Sequence, residues 1–188
     1  MRFMNFFLSE GLQEEIIGSR VYLDNDFLGE MYYDRDLLTS FLSLTADKAS
    51  LVIDPLTKFE FLRSVFLDVQ NRETFLSQPL FLPATNHQEV FIKIQDNALT
   101  LSKIYAHNHS GLHASTIDLF LAGRVMLDPS NVTKIISANK SDFPDCVFDV
   151  AGILSKITNG NSVQSYCLMQ FNQDKFDTAI KKLEKLAN

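Results

Sequence analysis

The chain has 188 residues, 46% of them hydrophobic and 21% charged, enough apolar material for one globular domain with a full core. A formal net charge of -6 argues against a surface coated in nucleic-acid-binding cations, while leaving room for a local basic patch or a metal-bridged phosphate contact. The two cysteines, Cys146 and Cys167, form no CxxC and have no ligand partner beside them, which reads as packed thiols in a reducing cytoplasm rather than structural zinc.

In chain order, the opening "MRFMNFFLS" carries one Arg and a short apolar run and then meets Glu10, Glu14 and Glu15, which reads against a signal peptide. No apolar run approaches membrane-spanning length, so no membrane is expected. Residues 1–19 read as an N-terminal arm or short hairpin. "RVYL" at 20–23 and "SLVI" at 50–53 have the short β-rich look of buried parallel strands, and "KII" at 134–136 and "CVFDV" at 146–150 are added to them. Helices are expected over 34–45 and from Thr57 to Leu76, the latter with Phe59, Leu62, Phe66 and Val69 on one stripe. Another spans 86–107 with Val90, Ile94, Leu101 and Ile104 in register, and "STIDLFLAGRVML" at 115–127 is stopped by Pro129. After an "NGN" turn at 159–161, "SVQSYCLMQF" reads as an edge strand and "DKFDTAIKKLEKLAN" as a helix with a cationic last turn. Strands alternating with helices predict a single-domain three-layer α/β/α fold with a parallel sheet. The domain proper is expected over 20–150, with the strand and helix of 151–188 packed on it.

In such a sheet the functional crevice lies outside the carboxyl ends of the strands. Asp24 and Asp26 follow the first strand and Asp54 the second, with Glu60 one turn into the next helix. Asp118 opens a later helix, and Asn139 and Asp142 follow "KIISA". Each has a structural account: Asp24 or Asp26 as a helix cap, Thr57 with Glu60 and Ser115 with Asp118 as capping boxes, and Asp142 as the cap of a turn before Phe143 and Pro144. Caps do not require all of them at one rim. Several anions in one place raise one another's pKa and are usually held by a hard divalent cation with oxygen ligands, here magnesium or manganese.

Taken in order, "VYLDNDFL", "TKFEFLRSVF", "GLHASTIDLFLAGRVM" and "IISANKSDFP" resemble the four acidic motifs of PIN-domain nucleases, including VapC-type toxins, over roughly residues 20–150. The resemblance implies a PIN-like fold and a magnesium- or manganese-dependent endoribonuclease in which Asp24, Glu60 and Asp118 stand for the first three acids. Asp26 occupies a position where the family usually has Asn and is a further ligand candidate. Asn139 stands at the fourth acidic position, and Asp142 is its nearest replacement. RNA is the implied substrate, a toxin role with an antitoxin partner goes with the VapC likeness, and metal-bound water rather than a side chain is the implied nucleophile. Lys58, Arg63, Lys103 and Arg124 read as solvated helix-surface charges that could also contact phosphates. Apolar positions on the helices at 34–45 and 57–77 are candidate homodimer or antitoxin surfaces.

Other readings stay open. His107, His109 and His113 in "HNHSGLH" fit no helical zinc spacing and read as a surface turn. The Asp-x-Asp of a haloacid-dehalogenase-like phosphatase is present, but Leu28 stands where a Thr is wanted. A phospho-receiver domain would use Asp54 as phosphoacceptor and Lys140 as its lysine. A non-catalytic PIN-like interaction module is favoured by Asn139 and disfavoured by the retained Asp24, Glu60 and Asp118.

Overall fold

The computed structural model describes residues 6–128, 132–158 and 162–187. The first half runs β1 (Phe6–Leu8), α1 (Leu12–Ile16), β2 (Arg20–Leu23), α2 (Asn25–Tyr33), α3 (Arg35–Thr45), β3 (Ser50–Ile53), α4 (Pro55–Leu62), α5 (Phe66–Leu76) and β4 (Phe81–Pro83). It continues with α6 (Gln88–Asn108), α7 (Thr116–Val125), β5 (Thr133–Ser137), a 3-10 turn (Lys140–Asp142), β6 (Phe148–Ile157), β7 (Val163–Phe171) and α8 (Gln173–Ala187).

Period-two alternation in the short strands decides the layering. Val21, Leu23, Leu51, Ile53 and Ile136 enter one core with Phe27, Phe41, Phe61 and Phe75 from α2 to α5. Their neighbours Tyr22, Val52 and Ile135 enter the other, with Leu101, Ile104 and Tyr105 of α6, Leu121 and Val125 of α7, and Ala179 of α8. Strands apolar on both faces need helices on both sides, and the element order supplies them.

The seven strands form one sheet in the order β1-β6-β7-β5-β2-β3-β4. Its centre is parallel: β2 pairs with β3 and β5, and β3 with β4. The expected all-parallel sheet is corrected to a mixed one, because β7 runs antiparallel to β5 and β6, and β1 antiparallel to β6. The segment expected at 146–150 starts at Phe148, crosses residue 150 and continues to Ile157. β7 is no edge strand; it lies between β6 and β5, which is why Tyr166, Leu168 and Met169 are fully buried. The N-terminal arm is docked from residue 6 onward, with Leu12 and Ile16 in the core. The turn at 159–161 and the stop at Pro129 lie outside the described residues.

The single helix expected from Thr57 to Leu76 is two helices. Arg72 of α5 reaches back to donate to the Phe61 carbonyl at 2.6 Å and to Asp68 at 2.6 Å, so the break is held by side-chain bonds. Phe61 is the core residue of α4, and of the expected stripe Phe59 is 65% exposed while Leu62 packs against the core. Of the two candidate partner surfaces, α3 carries no exposed large apolar side chain, whereas Phe59 and, around the break, Val65 and Leu67 are exposed.

Packing of α7 on α6 fixes the helix that carries Asp118. Gly123 permits it: a Cβ there would stand 2.7 Å from the Ile94 carbonyl oxygen and 3.2 Å from the Ala98 nitrogen. Asn97 donates to the Gly123 carbonyl at 2.9 Å. Gly123→Ala should therefore force the helices apart and cost about 1–3 kcal/mol. Thermal melts should show Tm falling by roughly 2–4 °C for each kcal/mol; an unchanged melt would show that the two helices part freely.

Candidate functional site

Parallel pairing sets the carboxyl ends of β2 and β5 side by side, with Leu23 opposite Ile136 and the Asp24 N–H donating to the Ile136 carbonyl at 3.1 Å. This is also where the topology switches: from β2 the chain builds outward through β3 to β4, then returns to β5 on the other flank. Crevices at such points are the usual ligand sites of open α/β sheets.

Asp24 is buried and starts α2 as its N-cap, accepting the Asn25 N–H at 2.7 Å. Asp26 accepts the Phe27 N–H at 2.5 Å, the Ala138 N–H at 3.2 Å and the Ser137 hydroxyl at 3.3 Å, tying α2 to the end of β5. Asp118 is buried in the first turn of α7 in a capping box: its N–H donates to Ser115 Oγ at 3.2 Å, and its Oδ2 accepts the Ser115 N–H at 2.6 Å. Asp142 is buried in the 3-10 turn. Its Oδ2 accepts the Asn139 amide at 2.7 Å, and its Oδ1 has no hydrogen-bond partner. Asn139 is exposed, and its own Oδ1 accepts the Ser141 hydroxyl at 2.5 Å.

The electrostatics link these residues. Burial pushes the Asp24 carboxyl well above the ordinary range, and the charges of Asp26 and Asp118 add to it. Burial likewise raises Asp26, against the backbone donors of Ala138 and Phe27. Glu60 of α4, half-buried, is raised by burial and then by Asp118, with Asp26 contributing and Arg63 opposing. Asp142 is pushed up to about 6 by burial, then by Asp118 and Asp26, with His113 and the Asn139 bond opposing. Asp24, Asp26, Glu60, Asp118 and Asp142 thus share one electrostatic environment, contributed by α2, α4, α7 and the turn after β5. Among the described residues none of the five forms an ion pair with Lys or Arg.

The structural accounts divide. Asp24 and Asp118 are caps, as their positions allow. Glu60 is not: α4 begins at Pro55 with Asp54 as N-cap, and Thr57 lies inside the helix, so the Thr57–Glu60 capping box does not form. Asp142 receives no backbone cap bond in the expected sense; its side chain is bound by Asn139. Asp54 stands apart from the cluster, in a buried ion pair with Arg124, whose guanidinium also donates to the Thr85 carbonyl at 2.9 Å and to Asn86 Oδ1 at 3.4 Å. Arg124 is therefore neither a solvated charge nor a phosphate contact. Lys58, Arg63 and Lys103 are exposed.

Sequence reasoning missed Ser137 and Tyr105. Ser137 was within reach, because parallel register places the residue after Ile136 beside Asp24. Tyr105, buried on α6, lies within electrostatic reach of Asp118 and Asp142. It gives no signal in sequence, where an aromatic residue on a helix reads as core.

The donors are hard oxygens, the kind that magnesium and manganese prefer, and the unpartnered Asp142 Oδ1 is a free ligand atom among them. Among the described residues no group of three or more His, Cys, Asp or Glu side chains is assembled closely enough to hold a metal ion by itself.

Raised carboxyl pKa values mean that the folded protein binds more protons than the unfolded chain between about pH 4 and pH 6, so stability in the absence of divalent cation should fall as pH rises through that window. Asp142 alone, displaced from 3.8 to about 6, lowers stability above that range by on the order of 1–3 kcal/mol, the smaller figure allowing for solvent screening. Melts in chelator should give a higher Tm at pH 5 than at pH 7, with the difference reduced in Asp142→Asn; the opposite slope would show that the fold does not raise these carboxyls.

No family model, curated protein or solved structure gives a significant match to this chain, and its function is read from the arrangement of its own side chains.

Proposed function

We propose that this chain is a magnesium- or manganese-dependent endoribonuclease of the PIN-like kind. The observation that supports the reading is the mutual electrostatic influence of Asp24, Asp26, Glu60, Asp118 and Asp142 at the switch point of the sheet, without Lys or Arg ion pairs among the described residues to compensate them. Asp24, Glu60, Asp118 and Asp142 would hold the cation, with Asp26 and Asn139 at its margin. A bound divalent ion supplies polarisation of the scissile phosphate and a more acidic water.

The chain's own groups do the rest. Asp26, fixed by Ser137 and Ala138, keeps the start of α2 against β5 and so fixes the place of Asp24. Asp142 offers its unpartnered Oδ1 to the cation, while its Oδ2 is held by the Asn139 amide. Lys58 and Arg63 on the exposed side of α4 are the nearest candidates for flanking phosphates. RNA as substrate, a toxin role with an antitoxin, a homodimer and a cytoplasmic location rest on the four-motif resemblance and the cysteine usage. The exposed Phe59, Val65 and Leu67 are the surface such a protein partner would use.

Asn139 in place of a fourth acid favours a second reading, a PIN-like interaction module without catalysis. The phospho-receiver reading is weakened because Asp54 is engaged by Arg124, and the phosphatase reading because Leu28 is fully buried.

Asp24→Asn and Asp118→Asn each remove one charge while keeping shape. Both variants should fold, match or exceed the parent Tm in chelator, and lose cleavage of a labelled RNA. Manganese at a hundred-fold excess over its Kd should stabilise the parent by about 2.7 kcal/mol, roughly 5–10 °C, and each variant by less. Equal manganese shifts with unimpaired cleavage would remove these acids from the site; equal folding with no cleavage even by the parent would favour the interaction module.

A further inference from the structure

Tyr105 is 2% exposed, and its buried hydroxyl has no hydrogen-bond partner. Burying a phenol without a partner is costly, and such groups in a folded core call for a reason. The ring is held on both sides. It packs in the core with Leu121, one turn beyond Asp118, and with Phe143, the residue after Asp142. On the loop side the backbone of Gly111 lies against it: a Cβ at that glycine would come within 2.5 Å of Tyr105 Cδ2, and its φ of +65 already favours glycine. That loop leads into Ser115, the cap of the helix that carries Asp118.

With the ring so fixed, the hydroxyl lies within electrostatic reach of Cys146, Asp118 and Asp142. Asp142 brings the second unpartnered atom: its Oδ2 is taken by Asn139 and its Oδ1 has no partner. A buried donor and a buried acceptor, both unsatisfied, thus belong to neighbouring parts of one small region. Cys146 has a neighbour of its own, the Ser110 hydroxyl at 3.5 Å from its sulfur.

We propose that Tyr105 is a positioning residue of the acidic site: its hydroxyl donates, through one enclosed water, to Oδ1 of Asp142 and so orients that carboxylate beside Asp118 for a divalent cation. The inference deepens the nuclease reading and rests on it for the identity of the cation. A donor aimed at a ligand carboxylate sets its direction and basicity, and removing such a donor typically weakens metal binding or activity by about 10- to 100-fold.

Tyr105→Phe deletes only the hydroxyl and keeps the ring against Gly111, Leu121 and Phe143. The experiment is calorimetric titration of parent and Tyr105→Phe with manganese alone, together with a thermal melt in chelator and steady-state cleavage of a labelled RNA. A positioning role predicts an unchanged or higher Tm in chelator, manganese affinity weakened about 10-fold or more, and a fall in kcat with little change in KM. A purely structural role predicts a lower Tm with manganese affinity retained, and that result would overturn the inference. Equal affinity in parent and variant, with the parent cleaving RNA, overturns the role of Tyr105 and leaves the nuclease reading standing. Weakened affinity in the variant supports Tyr105 even if the parent fails to cleave RNA, in which case the nuclease reading alone falls. A parent that binds no manganese overturns both.

Discussion

The constraint on which this site depends is the cost of holding negative charge out of water. Three carboxylates at one end of the sheet, Asp24, Asp118 and Asp142, are less than a tenth exposed, and Asp26 and Glu60 lie beside them. An isolated buried carboxylate protonates, pairs or coordinates a cation rather than remain charged and alone. The backbone donors that Asp24, Asp26 and Asp118 receive offset part of the cost, and the raised pKa values of Asp24, Glu60 and Asp142 mark what is left. Asp54 provides the contrast within the same fold. It follows β3 as Asp24 follows β2, yet it has Arg124 as a buried counter-charge. Among the described residues, a Lys or Arg pairs with Asp54 and none pairs with the other five acids.

The Asp54–Arg124 pair also explains how acids from distant parts of the chain stay in register. It joins the start of α4, which carries Glu60, to α7, which carries Asp118. The close approach at Gly123 presses α7 onto α6, the helix that also carries Tyr105, and Arg72 secures the other end of α4 through the Phe61 carbonyl. Removing one partner of a buried pair leaves an uncompensated charge, a loss of about 3–5 kcal/mol. The same bond therefore stabilises the fold and sets the spacing of the candidate ligands.

What was legible in the sequence follows from which forces are local. Strands β2 and β3 were readable because runs such as "RVYL" and "SLVI" are apolar on both faces, and α6 because its stripe from Val90 to Ile104 persists for about four turns. The direction of β6 and the interior place of β7 were not, since an apolar run does not say which neighbour it pairs with. The Thr57–Glu60 spacing suggested a helix start, but Asp54 followed by Pro55 is the stronger signal, a cap with proline at the first helical position, and it wins by moving the start ahead of Thr57. Glu60 is thereby left out of any capping box. Asp24 and Asp118 could be found from their places after β2 and at the head of α7. Arg124 could not be read as buried, because its partner lies 70 residues away, nor could Tyr105 be told from any other core aromatic.

The central claim is that these five acids form a divalent-cation site, and the most direct measurement is a crystal of the protein soaked in manganese, with the ion located by anomalous scattering. The account predicts a peak at the carboxyl ends of β2 and β5, coordinated by carboxylate oxygens of Asp24 and Asp118 with Asp142 or Glu60 completing the protein ligands. A peak elsewhere, or none at this edge at millimolar manganese, would contradict it.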